Sequence, residues 1–401
     1  MSRPSSKIKI FRFIDHWVGL PLCVSLGLLN TLFCRKKYEP VDRRGIKKIL
    51  VAKFFGLGSI DIIFSLLDSI RKSYPNAELV FLTFKSNVSF IEREKLCSKV
   101  IYIDDSNFLS FLISTFRVMS YLVLNKVDVF MDLEYYSKFS TLVSFFSGAK
   151  YRVAFSLPLF WRKSLVNIPI ELKFTEHILK IYEDMGRALA ITSPIVRYRI
   201  SVNKNGKVDR FLEERNIKEM RLLGLNINAS GFALCRRPPR EYFARVIRKV
   251  LNNFSDVFVF LIGSREEKEY VDGLGDILDI NENLRKRLVN TAGLFSLEEL
   301  FYLLSKMSLV LSVDSGILQF CYSIGAPTVS IWGPGSPYTH GNFTKEEGAF
   351  NKIIYKQRIC SPCLYIYRKE PAHFCHNKVY CANEIDPEEI YQEVEKMLKR
   401  K

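Results

Sequence analysis

The chain has 401 residues, of which 48% are apolar and 25% are charged, and its formal net charge is +17. This length predicts two domains, and the composition excludes a disordered chain. The positive charge indicates an anionic partner such as lipid, phosphorylated glycan or nucleotide, with a solvated basic surface as the alternative; no arginine-rich arm or helix-turn-helix pattern supports nucleic acid. Nine cysteines are too few for a disulfide scaffold, which is compatible with a cytosolic address.

Residues 1–40 predict a membrane-associating segment. An uncharged run of 18 residues, 17–34, has basic residues on both sides. It is near the lower limit for a spanning helix, which needs about 20 residues, and its two glycines and Pro21 weaken a straight span. A segment lying in the cytoplasmic leaflet, held by basic flanks on anionic lipid, is therefore favoured. A true span and a buried core helix remain alternatives.

Residues 41–198 alternate predicted strands and helices. The run 48–54 (KILVAKF) reads as a buried strand, followed by a Gly-Leu-Gly turn and by Ser59, which is placed to cap a helix over 60–72. Further strands are predicted over 78–84, 100–103 and 127–133. This alternation predicts a parallel, doubly wound sheet.

The Gly-x-Gly sequence after the first strand also suggests a dinucleotide-binding turn. However, the third glycine position holds Asp61, and the second strand ends without an acid for a ribose, so an oxidoreductase is disfavoured. Asp61 also fits an acid that stabilises a helix dipole. Glu134 follows the strand 127–133, at a carboxyl strand end where α/β proteins bind ligands, although a solvated loop acid is its alternative.

Residues 199–385 repeat the alternation. Strands are predicted over 221–228, 257–263 and 328–332, the last of them as the final core strand, and a helix over 241–252. Ser296 and Glu299 form a capping box that starts another helix. Residues 386–401 predict a closing amphipathic helix with a basic end.

The most informative stretch is 309–337 (LVLSVDSGILQFCYSIGAPTVSIWGPGSP). It reads as a buried strand, an Asp314-Ser315-Gly316 turn, a short apolar helix and a second buried strand. A helix that begins directly after a strand presents free amide N–H groups and a positive dipole end to an anion, and a diphosphate fits there. Gly316 leaves room for the ligand to approach the backbone. An ordinary strand–helix–strand unit is the alternative.

A cluster near the C-terminus has the composition of a metal site. It comprises Cys360, Cys363, Cys375 and Cys381, with His373 and His376 between them. A zinc ribbon would have two Cys-x2-Cys pairs, and the second pair here is Cys-x5-Cys. Structural zinc, a disulfide and free thiols remain open.

The stretch 309–337 resembles the signature of glycosyltransferase family 9, the lipopolysaccharide heptosyltransferase family. Residues 147–155 (SGAKYRVAF) and 236–239 (RRPP) resemble further segments of that family. The resemblance implies a GT-B fold, in which two Rossmann-like α/β domains with parallel sheets face a cleft. Residues 41–198 would bind the acceptor and 199–385 the nucleotide sugar, and the helix in 386–401 would cross back to the first domain.

The resemblance also implies the residues of the site. The donor would contact Ser230, Arg236, Glu266, Asp314, Ser315 and Gly316, with Glu266 near the ribose. The general base of the family is an aspartate at the position of Ser59, so Asp61 and Glu134 are the candidate bases here. Gln319 is a second departure, because the family has a histidine at that position.

These features predict an inverting, metal-independent glycosyltransferase without a cofactor. It would transfer heptose or a related sugar from a nucleotide-diphosphate donor, with ADP as one option, to a membrane-associated glycan or lipopolysaccharide-type acceptor. It would lie on the cytoplasmic face of the inner membrane of a bacterium, as a peripheral or monotopic protein on an anionic surface. A catalytically inactive relative that binds glycan or nucleotide, and a membrane-bound scaffold protein, remain alternatives.

Overall fold

A computed structural model of the protein describes residues 13–33, 41–156, 160–217, 219–229, 234–342, 350–363 and 380–400. The chain divides into two compact units, Met1–Tyr198 and Arg199–Lys401. Each unit contains one six-stranded sheet in which every pair of neighbouring strands is parallel. The predicted α/β class is confirmed.

The first unit has its strands in the spatial order β3-β2-β1-β4-β5-β6. These strands are β1 Lys48–Ala52, β2 Glu78–Phe84, β3 Lys99–Ile103, β4 Val129–Asp132, β5 Tyr151–Ser156 and β6 Ile168–Glu171. Its helices are α1 Gly19–Phe33, α2 Leu57–Ser73, α3 Val88–Glu92, α4 Phe108–Asn125, α5 Lys138–Phe146, α6 Phe160–Lys163 and α7 Ile178–Ala188. Strand β1 is apolar throughout its buried part because it is central in a sheet that helices cover.

Helix α2 begins earlier than its sequence predicts. Its first residue is Leu57, and Gly56 precedes it with a φ of 85°, a conformation that favours glycine. The amides of Ser59 and Ile60 both donate to the Gly56 carbonyl oxygen. The expected cap at Ser59 is therefore wrong, because this residue already belongs to the first helical turn.

The second unit has the strand order β12-β11-β10-β7-β8-β9. Its strands are β7 Arg221–Asn226, β8 Val257–Leu261, β9 Leu288–Asn290, β10 Leu309–Val313, β11 Thr328–Trp332 and β12 Asn351–Tyr355. Read from the other end, this order matches that of the first sheet. Strand β11 is fully buried, as expected of a core strand, and a further strand that the sequence did not indicate, β12, pairs with it in parallel. Only Ile354 of β12 is buried, so the strand lacks the apolar run that marks its neighbours.

The helices of the second unit surround its sheet. They are α8 Gly206–Glu213, α9 Arg240–Asn253, α10 Lys268–Ile277, α11 Glu282–Arg285, α12 Leu297–Ser305, α13 Gly316–Ile324, α14 Pro337–His340 and α15 Pro387–Lys399. The capping box of Ser296 and Glu299 at the start of α12 is confirmed.

The last helix, α15, carries an apolar stripe that packs into the core of the second unit. Ile390, Val394 and Leu398 lie in one buried cluster with residues of α9 and of the central strands. This burial accounts for the position of the helix, because its apolar face is covered within the second unit. Helix α15 is thus assigned to the second unit, and the expected crossover toward the first domain stays a prediction.

Candidate active site

In the second unit, the order of the strands reverses between β7 and β10. Ligands of doubly wound sheets bind at such a switch point, beyond the carboxyl ends of the strands. Strand β10 ends at Val313, Asp314 and Ser315 follow it, and α13 begins at Gly316. The predicted strand, turn and helix are confirmed.

A buried polar network fixes the start of helix α13. The side-chain amide of Asn226, the last residue of β7, donates to Ser312 Oγ at 2.9 Å and to Ser315 Oγ at 2.8 Å. Ser315 is the N-cap and accepts from the amide of Leu318 at 3.4 Å. Because the cap residue is held by the neighbouring strand, the first amides of the helix keep a fixed position beside the end of β7.

Asp314 and Arg236 form an ion pair at this corner. Arg236 Nε lies 3.2 Å from Asp314 Oδ2, and Arg236 Nη1 lies 3.5 Å from the backbone oxygen of Asp314. Burial raises the pKa of Asp314, and the nearby Arg236 opposes this effect. Gly335, in the loop after β11, faces the same carboxylate, since a Cβ atom there would collide with Asp314 Oδ2. The carboxylate is therefore enclosed on one side by backbone and on the other by a cation.

The two neighbouring arginines of the RRPP turn have different surroundings. Arg237 donates from Nε and Nη2 to the carbonyl oxygen of Ala229, at 3.2 and 2.6 Å, and stacks on Tyr270 at 4.3 Å. These contacts fasten the turn to the end of β7. Arg236 instead points to the start of α13, which makes it the arginine that a ligand at the corner would meet.

Ser230 and Glu266 are the two remaining residues predicted to contact the donor. Ser230 lies outside the described residues. Glu266 is exposed in a short 3-10 helix, whereas the adjacent Glu267 closes a capping box and lies 4.0 Å from Arg237. Asn228 is closer to the switch point: its amide donates to Ile262 O at 3.2 Å, and its buried Oδ1 accepts no hydrogen bond from the described residues.

In the first unit, the corresponding strand ends carry a buried ion pair. Glu134 Oε1 accepts from the amides of Phe54 and Phe55 at 2.8 and 3.0 Å, and Glu134 Oε2 lies 3.1 Å from Lys53 Nζ. Both oxygens of this carboxylate are thus engaged, and Glu134 is buried rather than a solvated loop acid. Burial and the nearby charge of Glu134 raise the pKa of Tyr182.

A second buried pair lies beside the first. Arg162 Nη2 donates to Asp132 Oδ2 at 2.6 Å, and Arg162 Nη1 donates to the carbonyl oxygens of Glu134 and Tyr135. Asp132 also accepts from the hydroxyl of Ser140 at 3.0 Å. Arg162 is buried, and its pair with Asp132 connects the end of β4 to α5 and α6.

Asp61, the other predicted base, is buried on helix α2. Its Oδ2 atom lies 3.4 Å from Arg197 Nη1, and its side chain is shielded from solvent. Tyr198 N donates to Ser65 Oγ, one turn further along the same helix. These two contacts attach the segment around Arg197 to helix α2. Whether Asp61 or Glu134 serves as a base stays a prediction.

Comparisons with known proteins agree with this geometry. Residues 173–371, which include the β10–α13 corner and Arg236, match the family model described as Glycosyltransferase family 9 (heptosyltransferase). The chain therefore carries a glycosyltransferase family 9 domain. It is accordingly a glycosyltransferase, and the family predicted from the sequence is confirmed.

Solved structures share the fold of this family 9 chain. A glycosyltransferase family 9 protein from Veillonella parvula is 17% identical, with a TM-score of 0.72, over 91% of this chain and 100% of the other. Heptosyltransferase II of E. coli is 17% identical over 88% and 98%, with a TM-score of 0.65. E. coli WaaC with ADP is 13% identical over 87% and 99%, with a TM-score of 0.60. The predicted GT-B class is thereby supported, and a search of curated protein sequences found no significant match.

Gln319, which the resemblance marked as a departure from the family, lies on helix α13. The side chain is buried, and its Nε2 donates to the carbonyl oxygen of His340 at 3.1 Å. This bond links α13 to α14, which follows the loop of Gly335. The amide thus holds together the two segments that enclose Asp314, a role that the sequence did not reveal.

The cysteine cluster receives no support as a zinc site. Among the described residues, Cys360, Cys363 and Cys381 form no disulfide with one another, whereas Cys375, His373 and His376 lie outside the described residues. Within the described ranges, no three His, Cys, Asp or Glu side chains converge as metal ligands would.

Proposed function

We propose that the second unit binds a nucleoside-diphosphate sugar at the β10–α13 corner. The observation that carries this proposal is the position of Arg236 beside the first turn of α13, 3.2 Å from Asp314. A guanidinium and a helix N-terminus together suit a diphosphate, because both supply hydrogen-bond donors and positive charge. The Asn228 amide oxygen, buried beyond the end of β7, is an acceptor for a hydroxyl of the nucleoside or the sugar.

The reaction is a transfer of the sugar to a hydroxyl group of a glycan acceptor held by the first unit. The hydroxyl oxygen attacks the anomeric carbon, its proton passes to a base, and the bond from that carbon to the diphosphate breaks. Attack opposite the leaving group inverts the anomeric configuration. Arg236 and the α13 amides take up the charge of the departing diphosphate, so the step needs no metal ion.

The donor we propose is ADP-linked, with heptose or a related sugar. Structures of E. coli WaaC, which shares the fold, contain ADP and ADP-2-deoxy-2-fluoro heptose. The acceptor is a membrane-associated glycan of the lipopolysaccharide type, and the enzyme works at the cytoplasmic face of the inner membrane. Asp61 and Glu134 remain the candidate bases, and each would have to leave an ion pair to accept the proton.

A titration of ADP tests the donor site. Isothermal titration calorimetry compares the wild type with Arg236→Ala and with Arg248→Ala, which removes an exposed arginine of the same unit. Loss of a charge-assisted contact with phosphate should raise the Kd for ADP about 30-fold in Arg236→Ala. The Kd should change less than about 2-fold in the control. Unchanged ADP binding in Arg236→Ala would reject the proposed corner.

A nucleotide-binding relative without turnover is the second candidate. It is favoured by Ser59, which replaces the family aspartate, and by the ion pairs that engage both candidate bases. Release of ADP from ADP-heptose, with glycan acceptors present, separates the two functions. Arg236-dependent ADP binding without any such release would favour the inactive relative over the enzyme.

A further inference from the structure

Helix α1 is attached to the first unit along a face of small residues. Gly19, Cys23 and Gly27 recur every four residues and are buried. A Cβ atom at Gly19 would lie 2.9 Å from Lys138 Cβ, and one at Gly27 would collide with Ser164 Oγ. Asn30 extends this face by donating to Ser164 O at 2.6 Å. The glycines that weaken a membrane span thus allow the helix to pack closely on α5 and the segment after α6.

The opposite face of this helical segment is apolar and exposed. Its largest side chains are Trp17, Val18, Leu22, Leu28, Leu29 and Leu32, and between 47% and 73% of each is exposed. A helix that is fixed along one side to a folded domain lies alongside that domain. The exposed stripe is therefore directed outward along the whole length of α1.

Helix α4 has the same organisation. Ser114, Val118 and Leu122 face the core, and Arg117 is the single charged residue in the helix. The exposed face carries Leu109, Leu112, Ile113, Phe116, Val123 and Leu124, which are between 46% and 80% exposed. Such a continuous apolar stripe indicates an interaction surface, because a solvated helix face is normally polar. Of the described segments, only those of α1 and α4 are long and apolar enough to cross a membrane.

The two stripes belong to one region of the first unit. Phe139, at the start of α5, packs its ring against that of Phe111 of α4, with centroids 5.2 Å apart and the rings tilted by 46°. The amide of Phe139 donates to Asp15 Oδ1 at 2.9 Å, just before α1. One residue therefore joins the N-terminal end of the α1 segment to the first turn of α4. We call the twelve exposed side chains of the two stripes the two-helix apolar surface.

We propose that the two-helix apolar surface docks onto the interface of an anionic bilayer, with both helices lying in the membrane plane. Charge favours this partner over a second copy of the chain. Basic residues flank α1 on both sides in the sequence, and Arg117 and Lys126 are exposed on and after α4. A two-fold interface would bring these like charges together, whereas anionic headgroups would neutralise them. Trp17 suits the interface, since its indole has an apolar body and a polar N–H.

The docking surface extends the expected N-terminal anchor by a second helix that lies about 90 residues further along the chain. It does not depend on the transfer reaction. Variants of α4 should release ADP from a nucleotide sugar with a soluble acceptor at the wild-type rate. Failure of the membrane proposal can thus be told apart from failure of the proposed enzyme.

Vesicle flotation of the full-length protein tests the role of α4. The variant Leu112→Ser/Phe116→Ser/Leu124→Ser is compared with Val196→Ser/Leu294→Ser/Phe350→Ser, which changes equally exposed apolar residues elsewhere. On phosphatidylcholine vesicles that contain phosphatidylglycerol, the α4 variant should partition about 30-fold less than the wild type, and the control within about 2-fold. Wild-type partitioning of the α4 variant would overturn the proposal. So would a wild-type dimer in light scattering that this variant dissociates while its vesicle binding is unchanged.

A fluorescence measurement tests the orientation. Trp161 and Trp332 are buried, so Trp17 is the exposed tryptophan of the native chain. In a Trp17→Phe background, Phe116→Trp should be quenched by lipids brominated near the headgroup about as strongly as Trp17 is in the native chain. Quenching of Trp17 alone would show that α4 stays in water, and quenching of α1 positions only by deeply brominated lipid would show that the helix inserts as a span. Either result would overturn the proposal.

Discussion

Each unit has an ion pair beyond the carboxyl ends of its two central strands. In the first unit, Lys53 and Glu134 follow β1 and β4. In the second unit, Arg236 and Asp314 follow β7 and β10. Both pairs join a cation to a carboxylate at the point where the strand order reverses. Glu134, however, also accepts two backbone amides, so its charge is compensated within the protein. Asp314 lies beside the start of a helix, where amides and Arg236 remain directed to one place. We therefore expect these two equivalent positions to differ in role, with stability as the role in the first unit and binding of the proposed nucleotide as the role in the second.

The largest expected effect concerns the internal pair of the first unit. Removal of one partner leaves the other buried and unpaired, which costs about 3 kcal/mol or more. Glu134→Gln and Lys53→Met should therefore each lower the free energy of unfolding by about this amount, and the double variant should lose less than the sum. Urea unfolding measures all three.

The same variants separate a structural acid from a base. If Glu134 only supports the fold, the transfer rate per folded molecule should fall similarly in Glu134→Gln and Lys53→Met. A transfer rate that falls at least about 100-fold in Glu134→Gln alone would identify Glu134 as a base. The expected difference in role between the two ion pairs would then be wrong.

Gly335→Ala tests the enclosure of Asp314 in the second unit. The added Cβ would collide with Asp314 Oδ2, so the carboxylate must rotate away from Arg236. We expect the Kd for ADP to rise about 10-fold, which is about 1.4 kcal/mol. Gly206→Ala is the matched control, because a Cβ atom there meets nothing within 4 Å. Equal ADP affinities in both variants would show that the position of Asp314 does not matter for the nucleotide.

Ser315→Ala removes the cap of α13 and its bond to Asn226. Loss of an N-cap typically costs about 1 kcal/mol, and the freed helix end should also bind ADP about 3-fold more weakly. Thermal unfolding with and without ADP measures both effects. Ser296→Ala, which removes the cap of α12, should lower stability alone. A similar loss of ADP affinity in this control would mean that ADP binding does not depend on the cap of α13.

The smallest expected effect is a pH dependence from Asp314. Burial raises the pKa of this group, so the folded chain binds the proton more readily than the unfolded chain. The resulting stability is complete below the unfolded pKa of about 3.9 and is lost as the pH rises through the folded pKa. Asp314→Asn lacks this contribution. Its free energy of unfolding should therefore increase relative to the wild type as the pH rises through the acid range. A constant difference would contradict the assignment.

Local patterns in the sequence predicted the features that depend on neighbouring residues. The strand, turn and helix around Ser315 could be recognised because a strand period gives way to a helix at one turn. Strand β12 was missed because it is mostly half-buried and lacks an apolar run. The start of α2 was misplaced because the φ of Gly56, and not the hydroxyl of Ser59, determines it.

Contacts between distant residues could not be predicted in this way. Lys53 and Glu134 are 81 positions apart, and Asp61 and Arg197 are 136 apart. Only the order of the strands brings them together. The two arginines at 236 and 237 are chemically identical, and their different roles follow from which strand end each reaches.

The close fit of α1 against the first unit has a practical consequence for protein production. The small-residue face covers Trp161, Leu165 and the aliphatic part of Lys138, all of which are buried. A shortened chain that starts after residue 40 would expose this patch to water and leave Lys138 without Asp15, its ion-pair partner at 3.6 Å. We expect such a chain to aggregate on expression, and detergent with the intact N-terminus should give the better-behaved sample.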